Sequence, residues 1–180
     1  MPELPEVEAR RAYLDATALR QTIERARVHD KRLVQEVTPR QLQARLKGAR
    51  PLSTDRHGKH LFARLSTREW LVFHFRMTGD LVYYEKAEKK PENGGVTLDF
   101  DTGSHLAYVS KRILGHVAWT PDREAYVRER GLGPDALARA FTLARFRERL
   151  AGRTAKVKSA LMDQALIAGI GNVWADEILF

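Results

Sequence analysis

Cysteine is absent from this 180-residue chain, so disulfides and any Cys-ligated zinc site are excluded. The six histidines, His29, His57, His60, His74, His105 and His116, show no His-based metal spacing such as HExxH. No apolar run is long enough to span a bilayer, and the N-terminus lacks the basic-then-apolar order of a signal peptide. Acidic residues are in deficit: 23 Asp and Glu face 31 Lys and Arg, giving a net charge of +8 and a pI near 10.0. These shortages argue against a secreted disulfide scaffold and a helical membrane protein, and no metal or cofactor is expected in the chain. A cytoplasmic protein is expected, which in a bacterium shares its compartment with the nucleoid.

The excess charge favours a polyanionic partner without separating DNA from RNA or an acidic membrane. It is concentrated in two runs. Arg40 to Arg64 holds seven basic residues against Asp55, and Thr142 to Lys158 holds six against Glu148. A solvated face is the competing reading of each run. With 43% hydrophobic and 30% charged residues, the composition suits one large globular domain or two small ones.

The chain opens Met1-Pro2-Glu3-Leu4-Pro5-Glu6-Val7-Glu8. Removal of the initiator Met would expose Pro2 as a secondary amine, able to attack a sugar or carbonyl carbon and form an iminium. Glu3 beside it can give or take protons. The plain alternative is a helix opened by Pro5 and early acids.

Helical spacing follows Pro5 through Val7, Ala9, Leu14 and Leu19. From Ile23 to Trp119 the pattern shortens to strands and turns. Strands are expected at Trp70–Phe75, Leu81–Tyr84 and Ile113–Trp119, with a hairpin of Val96–Phe100 and Leu106–Val109 about Asp101-Thr102-Gly103-Ser104. Glu85 to Gly95 reads as a polar, mobile loop. Beyond Gly131-Leu132-Gly133-Pro134, helices are expected at Asp135–Ala140, at Leu143–Leu150 ending at Gly152, at Ala155 to about Ile167, and from Asn172. The fold class is therefore α+β. An antiparallel β-sandwich with an N-terminal helix fills residues 1–120, 121–134 form a linker, and 135–180 form a partial helical domain.

Several ordered segments carry a resemblance. MPELPEVE resembles the opening of the formamidopyrimidine-DNA glycosylase family, which also includes endonuclease VIII. Arg56-His57-Gly58-Lys59-His60-Leu61 is similar to the family's loop and strand bearing a lysine that assists strand cleavage. Phe75-Arg76-Met77-Thr78-Gly79 resembles the segment whose methionine fills the gap left by an extruded base, although by itself a methionine reads more readily as core packing. Ser110-Lys111-Arg112-Ile113-Leu114-Gly115 corresponds to the family's Asp-Pro-Arg-Arg-Phe-Gly, where Arg112 matches the arginine facing the orphaned base and Leu114 the aromatic wedge. Leu161 to Phe180 looks like the helix–two-turns–helix element, with Asn172 and Lys158 at its phosphate-binding positions and Arg153 near another basic contact.

The resemblance implies a base-excision-repair glycosylase with abasic-site lyase activity, acting as a monomer on damaged double-stranded DNA. Pro2 is the implied nucleophile and Glu3 helps open the sugar. Lys59 assists strand elimination, and Glu6 orders the pocket. Leu4-Pro5 is closer to the formamidopyrimidine branch, pointing to oxidised purines. Leu114 in place of an aromatic leaves oxidised pyrimidines open. Further departures are Ser110-Lys111 in place of Asp-Pro and the lack of a histidine in Glu92-Asn93-Gly94-Gly95. The residues stop at Phe180, inside the resembled element and before the family's lesion-capping loop and zinc finger, so a fragment of a longer protein is expected. Two rival readings are a DNA-binding module without turnover and an RNA-binding relative of the ribosomal helix–two-turns–helix type.

Overall fold

The first helix begins where the sequence places its prolines. In the computed structural model, which describes residues 2–85, 89–92 and 94–180, α1 spans Leu4–Thr17 with Pro5 in its first turn. Proline costs no hydrogen bond there, because the first amides of a helix have no partner within it. Among the described residues nine strands follow: β1 (Ile23–Val28), β2 (Val34–Gln35), β3 (Pro51–His57), β4 (His60–Leu65), β5 (Trp70–His74), β6 (Gly79–Tyr84), β7 (Gly94–Phe100), β8 (His105–Ser110) and β9 (His116–Thr120). They form a four-stranded sheet, β1-β7-β8-β6, and a five-stranded sheet, β2-β9-β5-β4-β3. All pairs are antiparallel except β2 with β9.

The main core unites α1 (Val7, Leu14) with both sheets (Leu61, Phe73, Phe75, Leu98, Phe100, Tyr108). Each such Leu or Phe side chain stabilises by about 2 kcal/mol through burial. Phe62, Val72 and Ala118 point to the opposite face of the five-stranded sheet, where Tyr126 and Val127 cover them. β4, β5 and β9 are thus covered on both sides, and their sequences are near-continuous apolar runs rather than alternations. A third cluster, centred on Leu161, Leu166, Ile167 and Ala175, supports the helical region.

Several expected elements differ. A helix, α2 (Pro39–Leu46), interrupts the strand region; Thr38 caps it, its hydroxyl accepting from Gln41 N at 3.2 Å while Gln41 Oε1 accepts from Thr38 N at 2.9 Å. The 121–134 segment contains α3 (Arg123–Glu129), capped by Asp122. The last strand starts at His116, not Ile113, because Ile113 sits at φ 53° in the preceding turn. Asp135–Ala140 is a set of turns: the Asp135 carboxylate accepts from Leu137 N at 2.9 Å as well as from Arg56 and Gly58, and the chain beyond continues in short turns, Ala138 N donating to Asp135 O and Phe141 N to Ala138 O. α4 (Leu143–Leu150) matches its expected span, whereas α5 (Val157–Met162) stops before Asp163. Beyond it Gln164 ties the chain into a turn, donating to Met162 O and Ile170 O and accepting from Gly169 N. α6 is Asn172–Leu179. Of the expected loop at 85–95, Gly94 and Gly95 belong to β7, while 86–88 and 93 lie outside the described residues.

Candidate active site

Glu3 joins the two ends of the chain. Its side chain is 2% exposed, and its carboxylate accepts from three amides of the α6 N-terminus: Gly171 N at 2.7 Å, Val173 N at 3.0 Å and Trp174 N at 3.3 Å. An anion satisfies the unpaired donors at a helix start and complements its positive end. The α6 N-terminal amides of Gly171, Val173 and Trp174 are thus taken by Glu3. The glycine is required by space, because a Cβ at Gly171 would lie 2.3 Å from Glu3 Cδ. Gly171→Ala is therefore expected to lower stability by about 1–3 kcal/mol through overpacking. A urea titration giving a midpoint equal to the native one contradicts this account of the contact.

Anchored this way, Pro2 lines a cavity of about 530 Å³ together with Glu3, Glu6, Met77, Lys111 and Trp174. Glu6 Oε2 accepts from Glu3 N at 2.9 Å, fixing the backbone next to Pro2. Arg10 and Asp80, on the same wall, pair with each other at 3.0 Å. Lys111 brings a cation to the rim and makes no ion pair among the described residues.

Lys59 sits on the β3–β4 hairpin, half-buried. Burial lowers its pKa; the Glu3 carboxylate opposes the shift and Arg76 adds to it. The hairpin is clamped to the helical region by three consecutive residues. Arg56 makes a bidentate pair with Asp135, Nη2 to Oδ1 at 2.9 Å, His57 Nε2 lies 2.8 Å from Gly133 O, and Gly58 N donates to Asp135 at 2.6 Å. Burial pushes the Asp135 carboxyl up, but the Arg56 and Gly58 bonds outweigh it and leave the pKa below the usual range. Both side chains of the ion pair are 8% exposed. Removing one partner strands a buried charge, so Arg56→Ala is expected to cost about 3 kcal/mol. Adding Asp135→Ala should restore part of that loss, and urea unfolding of the single and double variants measures it.

Two loops form the opposite wall. Met77 and Leu114 are each 48% exposed despite being apolar. Arg112 Nη1 lies 3.6 Å from Met77 Sδ, and Arg112 N donates to Thr78 Oγ1 at 3.1 Å, so the two loops touch. Arg76 and Ile113 both have positive φ, 49° and 53°, a costly backbone for side-chain-bearing residues.

Arg153, Lys158 and Asn172 are not among the residues lining this cavity. Lys158 pairs with Asp176 at 2.6 Å, Asn172 Nδ2 lies 3.4 Å from Asp176 Oδ2, and Arg153 is exposed, donating to Arg149 O at 3.3 Å. The structure thus gathers Pro2, Glu3, Glu6 and Met77 about one cavity, with Arg112 against Met77; Lys59 is not among its lining residues, Leu114, Arg153 and Asn172 are exposed outside it, and Lys158 is half-buried. Sequence reasoning missed Asp135, Trp174 and the cavity role of Lys111. It missed too that Thr78, Gly79 and Asp80 line the cavity. Among the described residues no group of three or more His, Cys, Asp or Glu could hold a metal ion. No described helix is long and apolar enough to cross a membrane.

Comparison with known proteins agrees with this fold. Residues 1–117 match the family model of the formamidopyrimidine-DNA glycosylase N-terminal domain, and 132–180 that of its H2TH domain. Formamidopyrimidine-DNA glycosylases from Synechocystis and Moorella thermoacetica are both 37% identical over 100% of this chain, covering 67% and 66% of their own lengths. The chain therefore spans about two thirds of these relatives. Among solved structures, the Lactococcus lactis formamidopyrimidine-DNA glycosylase bound non-covalently to DNA with an AP site superposes with a TM-score of 0.91 at 29% identity, covering 99% of this chain and 68% of that one. The same enzyme in complex with oxidised-pyrimidine DNA gives 0.91 at 30% identity, covering 99% and 67%. The chain belongs to the formamidopyrimidine-DNA glycosylase family.

Proposed function

We propose that the chain carries the catalytic part of a base-excision-repair glycosylase with abasic-site lyase activity on damaged duplex DNA, working as a monomer in the bacterial cytoplasm. The supporting observation is the placement of Pro2 at the cavity by the Glu3–α6 contact, with Glu6 and Met77 on the same cavity. A base in a duplex is out of reach, so its nucleotide must leave the stack at a cost of a few kcal/mol. Met77, Leu114 and Arg112 are the exposed apolar and cationic groups that would fill the gap. Arg153, Lys158 and Asn172 would hold phosphates without reading sequence.

In this reading Met1 is removed, the Pro2 nitrogen attacks C1′ as a secondary amine and gives up its proton, and the base departs with the glycosidic electron pair and takes up a proton. Opening of the sugar breaks C1′–O4′, O4′ gains a proton with help from Glu3, and an iminium remains between Pro2 and C1′. Abstraction of a C2′ proton then expels the 3′ phosphate, a step assisted by Lys59, whose lowered pKa enlarges its neutral fraction. Oxidised purines such as formamidopyrimidines and 8-oxoguanine are the first substrate class. Oxidised pyrimidines are the second, favoured by the short Leu114 wedge and the oxidised-pyrimidine DNA of the Lactococcus complex. Incubation with end-labelled duplexes carrying each lesion tests the proposal. Release of the free base together with a cut strand supports it, and retention on the duplex with neither product contradicts it.

A further inference from the structure

β4, β5 and β9 pair in a register that sets His60 opposite His74 and His74 opposite His116. The three imidazoles form one rung across the sheet. Ring centroids are 4.4 Å apart for His60 and His74, and 5.2 Å for His74 and His116, which stack at 15°. The α3 residue Tyr126 covers them, its ring edge-on to His60 at 5.8 Å and its hydroxyl 3.3 Å from His116 Nε2. The Nδ1 atoms of His60 and His74 are buried and have no hydrogen-bond partner among the described residues. Unpaired buried polar atoms cost stability, so an apolar rung would be the cheaper way to build this sheet.

What the rung offers is position. Lys59 immediately precedes His60, His74 leads into the Phe75–Gly79 loop of Met77, and Gly115-His116 closes the loop of Arg112 and Leu114. The roots are packed without slack: Tyr108 OH donates to His74 O at 2.9 Å, and a Cβ on Gly115 would meet that hydroxyl at 2.0 Å and His74 O at 2.5 Å. We propose that His60, His74 and His116 are positioning residues acting as one mount, which holds the Lys59, Met77 and Arg112 loops in fixed mutual register beside the Pro2 cavity. The functional part rests on the glycosylase reading above.

The surroundings keep the mount neutral. Burial is the main cause of the lowered imidazole pKa values. The groups facing the rung add to it: His57 and Lys59 beside β4, Arg76 after β5, and Arg130 at the end of α3, itself paired with Glu36. Tyr126 is the remaining titratable neighbour, and it too is buried in the un-ionised form. Neutral rings can stack; a protonated one would place a charge in a buried site and face these cations.

The test compares His116→Ala with His116→Phe, which keeps a ring, in the full chain and well below its melting temperature. Hydrogen exchange read by mass spectrometry is expected to rise in His116→Ala in all three loops, residues 57–60, 75–79 and 110–115, and to return towards native in His116→Phe. On a duplex carrying a processed lesion, His116→Ala should slow single-turnover cleavage at saturating DNA by about tenfold to a hundredfold, with little change in half-saturation. Phe should restore most of the rate. Faster exchange confined to 110–115, or no rescue by Phe, overturns the mount. Should the native chain show no turnover, the glycosylase reading fails, and the exchange pattern still decides the mount.

Discussion

Pro2→Gly is expected to bind lesion-bearing duplex as the native chain does and to release base more slowly by on the order of 10³-fold or more. The substitution leaves the fold's anchors in place. Glu3 keeps its three α6 amides, and α1 starts at Leu4 with its own proline at position 5. What disappears is the ring that fixes the nitrogen's direction and makes it a secondary amine. A chain that uses another nucleophile would lose little, so base release within a few-fold of native assigns the chemistry elsewhere. Equal melting temperatures for the two proteins separate this loss from unfolding.

The second large effect is on stability in mild acid. Burial foremost, with neighbouring cations, lowers the His74 pKa to about 3 and that of His116 to about 4, and drives His60 well below its usual value. The unfolded chain binds these protons near pH 6.5 and the folded chain does not. Stability is therefore complete above about pH 6.5, and it falls as the pH drops towards the folded-state values. Each imidazole is expected to cost about 2 kcal/mol between pH 7 and pH 5, before most carboxylates titrate. Urea unfolding at the two pH values should show a loss on the order of 5 kcal/mol in the native chain, smaller by about 2 kcal/mol in His116→Phe. An equal loss in both proteins would show that these rings are not the source.

Local signals were legible in the sequence, and long-range ones were not. The Val96–Val109 hairpin follows from alternation about an Asp-Thr-Gly-Ser turn, and α6 from glycines placed just before Asn172. α2 carried a complete start signal, Thr38-Pro39-Arg40-Gln41, at the edge of a run read only for its charge. α3 was likewise announced by Asp122 inside a segment read as a linker. The histidine rung was not legible, because only strand register brings positions 60, 74 and 116 together. Asp135 failed for the same reason: as a helix start it looks ordinary, and its partners Arg56 and Gly58 lie in another strand pair. The need for Gly171 was equally hidden, because the side chain it makes room for, Glu3, lies at the other end of the chain.

That contact is what points the first residues at the cavity, and the account stands or falls on what Pro2 does there. The most direct measurement is borohydride reduction of the chain mixed with a duplex containing 8-oxoguanine or an abasic site, followed by peptide mapping of any cross-linked product. The account predicts a covalent protein–DNA adduct attached to the nitrogen of Pro2 and absent from Pro2→Gly. An adduct mapped to Lys59, or tight binding with no adduct on either duplex, would contradict it.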